Sequence, residues 1–203
     1  MAAQYARYRP DYAEAAIRWC LAPVSGAQPV RVVDVGAGTG ILTGALARLG
    51  ADVVAVEPDQ AMLAELRRQL PGVRAVEGTA EALPLPDQSV DAVLCGQAMH
   101  WFDLDRALPE IARVLTPGGV FAGLWNVDDD RIGWVAGVAA ISRSGSTLSR
   151  WRAIPDADTG QRVLREGSSW FAPVEESEFG HGQPQSADSL VAVICYLVAA
   201  AGA

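Results

Sequence analysis

The sequence predicts an α/β fold in which a mostly parallel, doubly wound sheet is flanked by helices. Three observations support this prediction. From residue 30 onward, short runs rich in β-branched residues alternate with stretches whose apolar residues have helical spacing. The runs are nearly all apolar, which is typical of strands buried on both faces of a parallel sheet. A length of 203 residues, 50% of them hydrophobic, suits a single domain with one core.

The predicted elements follow one another in a regular order. An amphipathic helix over Pro10–Leu21 precedes the sheet, and we expect it to pack across or beside the functional site. Five strands and three connecting helices come next, and Pro117-Gly118-Gly119 ends the last of these helices and turns the chain into the fifth strand. The strands are predicted at Val30–Val35, Asp52–Val56, Val73–Val76, Val90–Cys95 and Val120–Trp125, and the helices at Ile41–Leu49, Gln60–Leu70 and Leu104–Leu115.

The alternation loosens after the fifth strand. Gly133–Ser142 is predicted to be helical, and Pro173–Gly180 is predicted as a sixth strand. The segment Leu190–Val198 is rich in Val, Ile, Tyr and Leu, which favours a strand. It also fits a helix that begins after Asp188 and runs through the alanines, and we favour the helix.

Composition and charge exclude several classes of function. All 16 basic residues are Arg, so a Schiff-base lysine, a lysine general base and a phosphate loop ending in Gly-Lys-Ser/Thr are excluded. The formal net charge is -8. This charge argues against a nucleic-acid partner, because proteins that bind nucleic acids normally present a basic face.

Cysteine usage and hydropathy indicate the compartment. Cys20, Cys95 and Cys195 are far apart and lack metal-type spacing, which predicts unpaired thiols in a reducing compartment. The first residues, MAAQYARYRPDY, do not resemble a signal peptide. The longest uncharged apolar stretch, Leu190–Ala203, is shorter than the ~20 residues of a membrane-spanning helix. We therefore expect a cytoplasmic protein without a membrane partner.

The most specific motif is a glycine-rich loop between the first strand and the following helix. It reads Val-Val-Asp-Val-Gly-Ala-Gly-Thr-Gly over residues 32–40, and Glu57 follows the next strand. Glycines let the backbone turn tightly and approach a ligand closely. A carboxylate at the end of the second strand can accept hydrogen bonds from both hydroxyls of a ribose. Together these features predict an adenosine-type ligand at the switch point of the sheet.

The details of the loop distinguish two kinds of adenosine ligand. The dinucleotide fingerprint is GxGxxG/A, but here the third glycine comes one position early and Ile41 stands where Gly or Ala is needed. Asp34, just before the loop, is unfavourable beside a pyrophosphate and suits a ligand that carries an ammonium group. The loop therefore argues against a dinucleotide.

An acidic residue followed by GxGxG resembles motif I of the class I S-adenosylmethionine (SAM) dependent methyltransferases. The segment 56–63, Val-Glu-Pro-Asp-Gln-Ala-Met-Leu, is similar to the second motif of that family, and 78–84 is similar to the segment that frames the adenine. Residues 91–103 and 113–119 resemble the fourth strand with its loop and the turn into the fifth strand. The resemblance covers more than half of the chain and points to the small-molecule branch, similar to quinone-biosynthesis and trans-aconitate methyltransferases.

This resemblance implies a Rossmann-like fold, SAM as the methyl donor and S-adenosylhomocysteine as the product. Tyr5, Arg9 and Tyr12 resemble an N-terminal lid motif of this branch, YxxxRPxY, which implies that Arg9 pairs with the methionine carboxylate and that Tyr5 closes over it. Relatives often carry Asp where this chain has Thr79, so Glu81 is the alternative partner for the adenine amine. The implied cofactor-binding residues are Tyr5, Arg9, Asp34, Gly36, Ala37, Gly38, Gly40, Glu57, Pro58, Met62, Thr79, Ala80, Glu81 and Gln97.

The resemblance also implies one methyltransferase domain over residues 1–203. Within it we expect a lid region at 1–29, a cofactor-binding core at 30–126 and a shortened acceptor-side region at 127–203. The sheet of the family has seven strands in the order 3-2-1-4-5-7-6, and a helical tail would leave the seventh strand missing. The fifth strand would then keep an open edge, which would favour a homodimer.

The methyl acceptor is expected to lie beside the loop after the fourth strand. His100 is the candidate general base for an acceptor that must lose a proton. It fits equally well a histidine that merely lines the pocket. Trp101, Phe102 and Trp125 are expected to form the walls of the acceptor pocket. No metal site is expected, because three consecutive carboxylates at 128–130 cannot all face one ion.

Three functions are compatible with these patterns. The first is a methyltransferase that moves a methyl group from SAM to a small-molecule acceptor by in-line displacement. The second is a shortened relative that binds the cofactor but lacks a competent acceptor site. The third is a NAD-dependent oxidoreductase, which Ile41 and the early third glycine disfavour.

Overall fold

The computed structural model contains one sheet of five parallel strands. The structure describes residues 10–26, 29–142 and 169–182. The strands are β1 (Arg31–Val35), β2 (Asp52–Val56), β3 (Arg74–Val76), β4 (Val90–Gly96) and β5 (Leu115–Leu124). Their order across the sheet is β3-β2-β1-β4-β5.

Five α-helices accompany these strands in the described part of the chain. One of them has a complete N-cap, because the Asp59 carboxylate accepts hydrogen bonds from the backbone N–H groups of Ala61 (2.8 Å) and Met62 (2.9 Å). The helices are α1 (Glu14–Leu21), α2 (Ile41–Arg48), α3 (Gln60–Gln69), α4 (Leu104–Val114) and α5 (Gly133–Ser142).

The core lies on both faces of the sheet, because successive side chains of a strand point in opposite directions. Val32 and Leu94 belong to the cluster that includes Ile17 of α1 and Leu46 of α2. Their strand neighbours Val33 and Val93 belong to a second cluster, which includes Ile111 and Val114 of α4. Burial on both faces explains why the central strands read as almost continuous apolar runs.

Asp91 joins the amino ends of three strands. Its carboxylate accepts hydrogen bonds from the Arg31 backbone N–H (2.9 Å), the Arg31 guanidinium (2.6 and 3.0 Å) and the Thr116 hydroxyl (3.4 Å). The Arg31 guanidinium holds the pKa of Asp91 below its usual value. This cluster lies at the opposite end of the strands from the glycine loop.

The predicted elements of the core are confirmed, with small shifts at their ends. The five predicted strands form the sheet, and their order agrees with the first five positions of the order implied by the resemblance. The helix predicted over Pro10–Leu21 begins only at Glu14, because Ala13 has an extended backbone with φ -55° and ψ 123°. The helix predicted over Gly133–Ser142 has those bounds in the structure.

The start of the fifth strand was predicted too late. β5 begins at Leu115, which pairs with Val90, and the register then shifts so that Val120 pairs with Ala92. The Pro117-Gly118-Gly119 segment therefore forms an irregularity inside the strand pairing and does not precede it. A β-bulge accommodates residues such as Gly118, whose φ is 80°.

The sixth strand predicted over Pro173–Gly180 is wrong. Residues 172–182 have no regular secondary structure, and most of them are exposed. The segment carries Glu175, Glu176 and Glu178. If this segment formed a strand, acidic side chains would lie on both of its faces, so neither face could be buried against the sheet.

Several predictions concern residues outside the described ranges, namely the lid residues Tyr5 and Arg9, Cys195, and the strand or helix of the C-terminal tail. Cys20 and Cys95 are free and buried. Burial raises the pKa of the Cys20 thiol to about 11 and also raises that of Cys95. Within residues 10–26, 29–142 and 169–182, no helix is long and apolar enough to span a membrane.

Candidate active site

A cavity of about 350 Å³ lies at the carboxyl ends of β1, β2 and β4. This is the point where the strand order reverses, and open α/β sheets bind ligands at such switch points. Thirteen of the predicted site residues line it. They are Asp34, Gly36, Ala37, Gly38, Glu57, Pro58, Met62, Thr79, Ala80, Glu81, Gln97, Trp101 and Phe102.

Five predicted site residues lie outside this cavity lining or outside the described residues. Gly40, His100 and Trp125 lie outside the lining, and Tyr5 and Arg9 are outside the described residues. Gly40 precedes α2 with φ 92°, and a Cβ there would come within 2.9 Å of Leu66 Cγ. The absence of a side chain at Gly40 therefore allows α2 to pack closely against α3.

The glycine loop is fixed by backbone hydrogen bonds to the neighbouring strand. The N–H groups of Gly36 and Ala37 donate to the Val56 carbonyl at 2.9 and 3.1 Å. The Gly38 N–H donates to Glu57 Oε2 at 2.8 Å, and the Asp59 N–H donates to Glu57 Oε1 at 2.9 Å. Each carboxylate oxygen of Glu57 thus has one backbone donor and keeps a lone pair for a second one.

Asp34 is the polar group buried most deeply beside the loop. Its side chain is fully buried, and its Oδ2 accepts a 2.6 Å hydrogen bond from the Thr43 hydroxyl of α2. Its Oδ1 is buried without a hydrogen-bond partner among the described residues, as is the hydroxyl oxygen of Thr39. A buried acceptor of this kind is costly unless a ligand or water satisfies it.

Burial raises the pKa of Asp34 to about 7, against the lowering effect of the Thr43 hydrogen bond. The nearby Glu57 carboxylate adds to the rise. A ligand that brings a positive charge to Oδ1 would stabilise the ionised form of Asp34.

The lining of the cavity is acidic. Asp34, Glu57, Asp59 and Glu81 contribute carboxyl groups, and no Arg or His is among the described lining residues. Such a lining favours a cationic ligand and disfavours a pyrophosphate.

Glu81, the predicted partner of the adenine amine, lines the cavity. Its Oε1 accepts a 2.9 Å hydrogen bond from the Asp103 N–H at the start of α4. Burial alone would raise the pKa of Glu81, but the bonds from Asp103 and from the Thr79 hydroxyl outweigh it and lower the pKa. The Thr79 carbonyl also accepts from the Ala82 N–H at 3.3 Å, which closes a tight turn.

The rim of the cavity after β4 is aromatic. Trp101 is 81% exposed and Phe102 is half-buried. His100 is exposed, and its ring centroid lies 5.1 Å from that of Trp101. Trp125 instead packs with Met99 against Gly123.

Gly96 and Asn126 were missed as site residues in this region. Tyr12 and Gly96 line the cavity, and Asn126 bonds to Gln97 and to the segment before α1. The position of Asn126 after the carboxyl end of β5 is a signal that could have singled it out, because polar residues at such ends often serve a site.

The described residues contain no group of three His, Cys, Asp or Glu side chains that could hold a metal ion. In the segment 128–130, Asp129 bonds to Arg131 at 2.6 and 2.7 Å.

Comparison with known proteins identifies relatives of this chain. Residues 33–123 match the sequence profile of a family described as "Methyltransferase domain". The chain is 47% identical over 171 residues to an uncharacterized methyltransferase of Mycobacterium tuberculosis, which covers 83% of this chain and 69% of that protein. It is 44% identical over 103 residues to the malonyl-[acyl-carrier protein] O-methyltransferase of Methylococcus capsulatus, which covers 48% of this chain and 38% of that protein.

A solved structure from Anaeromyxobacter dehalogenans, described as a type II methyltransferase, is similar in fold. Its TM-score is 0.53 at 32% identity, over 73% of this chain and 66% of that chain. The matched profile runs from β1 to β5 and contains most of the cavity. The sequence matches and the sheet order agree, and the chain belongs to the class I SAM-dependent methyltransferase family.

Proposed function

We propose that this chain binds SAM in the cavity and transfers its methyl group to a small-molecule acceptor. The observation that carries the proposal is the acidic lining with a buried, unsatisfied oxygen of Asp34. SAM carries a sulfonium and an ammonium group, and its two ribose hydroxyls can donate hydrogen bonds. The residues of the cavity therefore fit this cofactor.

Glu57 is proposed to hold the ribose. Because Gly38 and Asp59 each use only one lone pair of its carboxylate, both oxygens can still accept from a hydroxyl group. These two backbone bonds also keep the carboxylate from rotating, which lowers the entropy cost of binding.

Asp34 is proposed to bind the ammonium group of the methionine moiety. The unsatisfied Oδ1 supplies the acceptor, and Thr43 holds the other oxygen in place. The Gln97 carbonyl is the proposed second acceptor for this group, and Thr79 and Glu81 are the proposed neighbours of the adenine. When bound, SAM supplies a methyl group activated by the sulfonium.

Trp101 and Phe102 are proposed to orient the acceptor for in-line attack. Correct placement of two reactants can lower a barrier by up to ~7–11 kcal/mol, so no nucleophilic side chain is required. Trp125 is proposed to support the acceptor side through its packing with Met99.

His100 is proposed as the base where the acceptor is a hydroxyl group. A planar, apolar acceptor such as a phenol suits the aromatic rim, and it must lose a proton on methylation. A carboxylate is the second candidate acceptor, because a relative is named as a malonyl-[acyl-carrier protein] O-methyltransferase. A carboxylate is already ionised near neutral pH and needs no base. His100→Gln would therefore slow methylation of a phenol by ~10²-fold or more and leave that of a carboxylate unchanged.

Calorimetric titration with SAM, S-adenosylhomocysteine and NAD tests the cofactor assignment. We expect micromolar affinity for the two sulfur ligands and no binding of NAD. Glu57→Ala should abolish binding, whereas the control Asp52→Ala, at the amino end of the same strand, should leave it unchanged. Tight binding of NAD would favour an oxidoreductase. Binding of SAM without turnover on phenols or carboxylic acids would favour a shortened relative that lacks an acceptor site.

A further inference from the structure

Asn126 connects two distant parts of the chain beside the cavity. It lies two residues beyond the end of β5 and is half-buried. Its side-chain amide donates a 2.8 Å hydrogen bond to the backbone carbonyl of Asp11. Its own backbone carbonyl accepts a 2.8 Å hydrogen bond from the Gln97 side chain. One residue thus contacts both the cavity lining and the segment that precedes α1.

Gln97 has a backbone conformation that needs this support. Its φ is 56°, in the left-handed region that residues other than glycine rarely adopt. Its N–H donates to the Leu124 carbonyl at 2.8 Å, and its side chain reaches Asn126. The first turn after β4 is therefore fastened to the end of β5 at two points.

The segment held by Asn126 presents Tyr12 to the cavity. Tyr12 lines the cavity, and its ring lies against Gly96 at the end of β4. A Cβ at position 96 would overlap the Tyr12 ring, with 2.6 Å to its Cζ. Only glycine allows this approach, and the fixed position of Asp11 determines where the next residue can lie.

A second contact fixes the same segment from the other side. His181 Nε2 lies 2.6 Å from Asp11 Oδ1, so the Asp11 backbone is held by Asn126 and its side chain by the segment 169–182. With both contacts in place, Asp11 has little freedom to move Tyr12 away from Gly96.

We propose that Asn126 is a positioning residue that seats Tyr12 over the cofactor cavity and thereby sets the residence time of the bound cofactor. The proposal rests on the proposed function, because the ligand whose escape is slowed is SAM. It assigns to Asn126 no contact with the reacting atoms. Its effect passes through Asp11 to Tyr12.

The substitution Asn126→Asp separates the two roles of this residue. It keeps the backbone carbonyl that Gln97 uses and replaces only the amide donor, so that an oxygen faces the Asp11 carbonyl. We expect the dissociation rate of SAM, measured by stopped-flow tryptophan fluorescence, to rise about tenfold, as expected for one hydrogen bond. Asn126→Gln, which retains an amide donor, should recover part of the slow dissociation. Asp129→Asn, in the same loop, should leave the rate unchanged.

A double-mutant cycle distinguishes positioning from general stability. If Asn126 acts through Tyr12, then Asn126→Asp should change the dissociation rate less than twofold in a Tyr12→Ala background. Additive effects, or a lowered unfolding midpoint with an unchanged dissociation rate, would overturn the proposal and leave a merely structural role.

Amide hydrogen exchange of the ligand-free protein provides a readout that needs no cofactor. Asn126→Asp should speed exchange at the start of α1 at least tenfold relative to the wild type. Faster exchange with unchanged SAM dissociation would overturn this inference alone. Failure of the wild type to bind SAM would overturn the proposed function, and with it the cofactor role given to Asn126.

Discussion

Asp34 and Asp91 are two buried carboxyl groups on adjacent strands, and their pKa values are shifted in opposite directions. Asp34 lies at the ligand end of β1 with one oxygen unsatisfied among the described residues. Asp91 lies at the opposite end of β4 and is paired with Arg31. Burial dominates at the first site and the guanidinium dominates at the second. The two residues should therefore contribute to stability with opposite dependence on pH.

The folded-state pKa of Asp34 is raised from 3.8 to about 7. Its ionisation therefore destabilises the fold increasingly as the pH rises between these values, by at most roughly 1.4 kcal/mol per pH unit. Asp34→Asn should raise the melting temperature at pH 8 and have little effect at pH 4, while it weakens binding of SAM. Thermal unfolding of both proteins from pH 4 to pH 8 measures the difference.

Asp91→Asn is the matched control, and its effect on the melting temperature at pH 8 should have the opposite sign. The lowered pKa of Asp91 means that its ionised form stabilises the fold above the pKa of the unfolded chain, and that this contribution is lost as the pH falls. The variant should melt at a lower temperature than the wild type from pH 8 down to about pH 4, and the difference should shrink only as the pH falls below the ordinary carboxyl pKa of 3.8. Equal behaviour of the two variants would contradict the assignment of opposite shifts.

At the scale of the element, Gly40 shows how a motif glycine can serve packing. A Cβ at Gly40 would lie 2.9 Å from Leu66 Cγ and 3.0 Å from Leu70 Cδ1, both on or next to α3. Gly50 has a similar φ of 83° but no atom within 4 Å of such a Cβ. The two glycines share the backbone requirement and differ only in their surroundings.

We therefore expect Gly40→Ala to destabilise the protein more than Gly50→Ala. The left-handed backbone costs about 1–2 kcal/mol in both variants. Overpacking against α3 adds a further ~1–3 kcal/mol for Gly40→Ala alone. Urea unfolding of the two variants and the wild type gives the comparison. A larger loss for Gly50→Ala would show that the contact with Leu66 relaxes at no cost.

The elements that the sequence predicted correctly are those with a local signal. The central strands and connecting helices could be predicted because burial on both faces leaves an apolar run and the helices keep their own spacing. The early start of β5 at Leu115 could not, because Pro117 and the glycines after it suggest a turn and the pairing with Val90 is a long-range event. The segment 173–180 was predicted as a strand from its local pattern, but it forms no strand in the structure because neither of its faces is apolar.

The candidate site also contains residues that a local sequence signal predicts and residues that only long-range contacts reveal. The glycine loop and Glu57 could be predicted because their spacing along the chain determines their positions at the switch point. The contact of Tyr12 with Gly96 and the role of Asn126 depend on residues far apart in the sequence, and no local pattern reports such contacts.

At the scale of the whole molecule, the acidic cavity belongs to a chain with a net charge of -8. SAM carries one more positive charge than S-adenosylhomocysteine. Salt screens the attraction between this charge and the protein, with a screening length of ~10 Å at 0.1 M and ~3 Å at 1 M. The affinity for SAM should therefore fall more steeply with added sodium chloride than the affinity for the product.

Calorimetric titrations at several sodium chloride concentrations measure the two slopes. Glu81→Gln, which removes one charge from the lining, should bring the slope for SAM closer to that for S-adenosylhomocysteine. Identical slopes for both ligands in the wild type would contradict an electrostatic role for the lining.

The cluster around Asp91 has a consequence for how this protein can diverge. It fastens β1, β4 and β5 at the ends of the strands that face away from the ligand. Substitutions in the aromatic rim around Trp101 can therefore accumulate without loosening the framework that aligns those strands. A lineage that keeps Arg31 and Asp91 can vary this rim, since the residues that fasten the strands and the residues proposed to orient the acceptor are different ones.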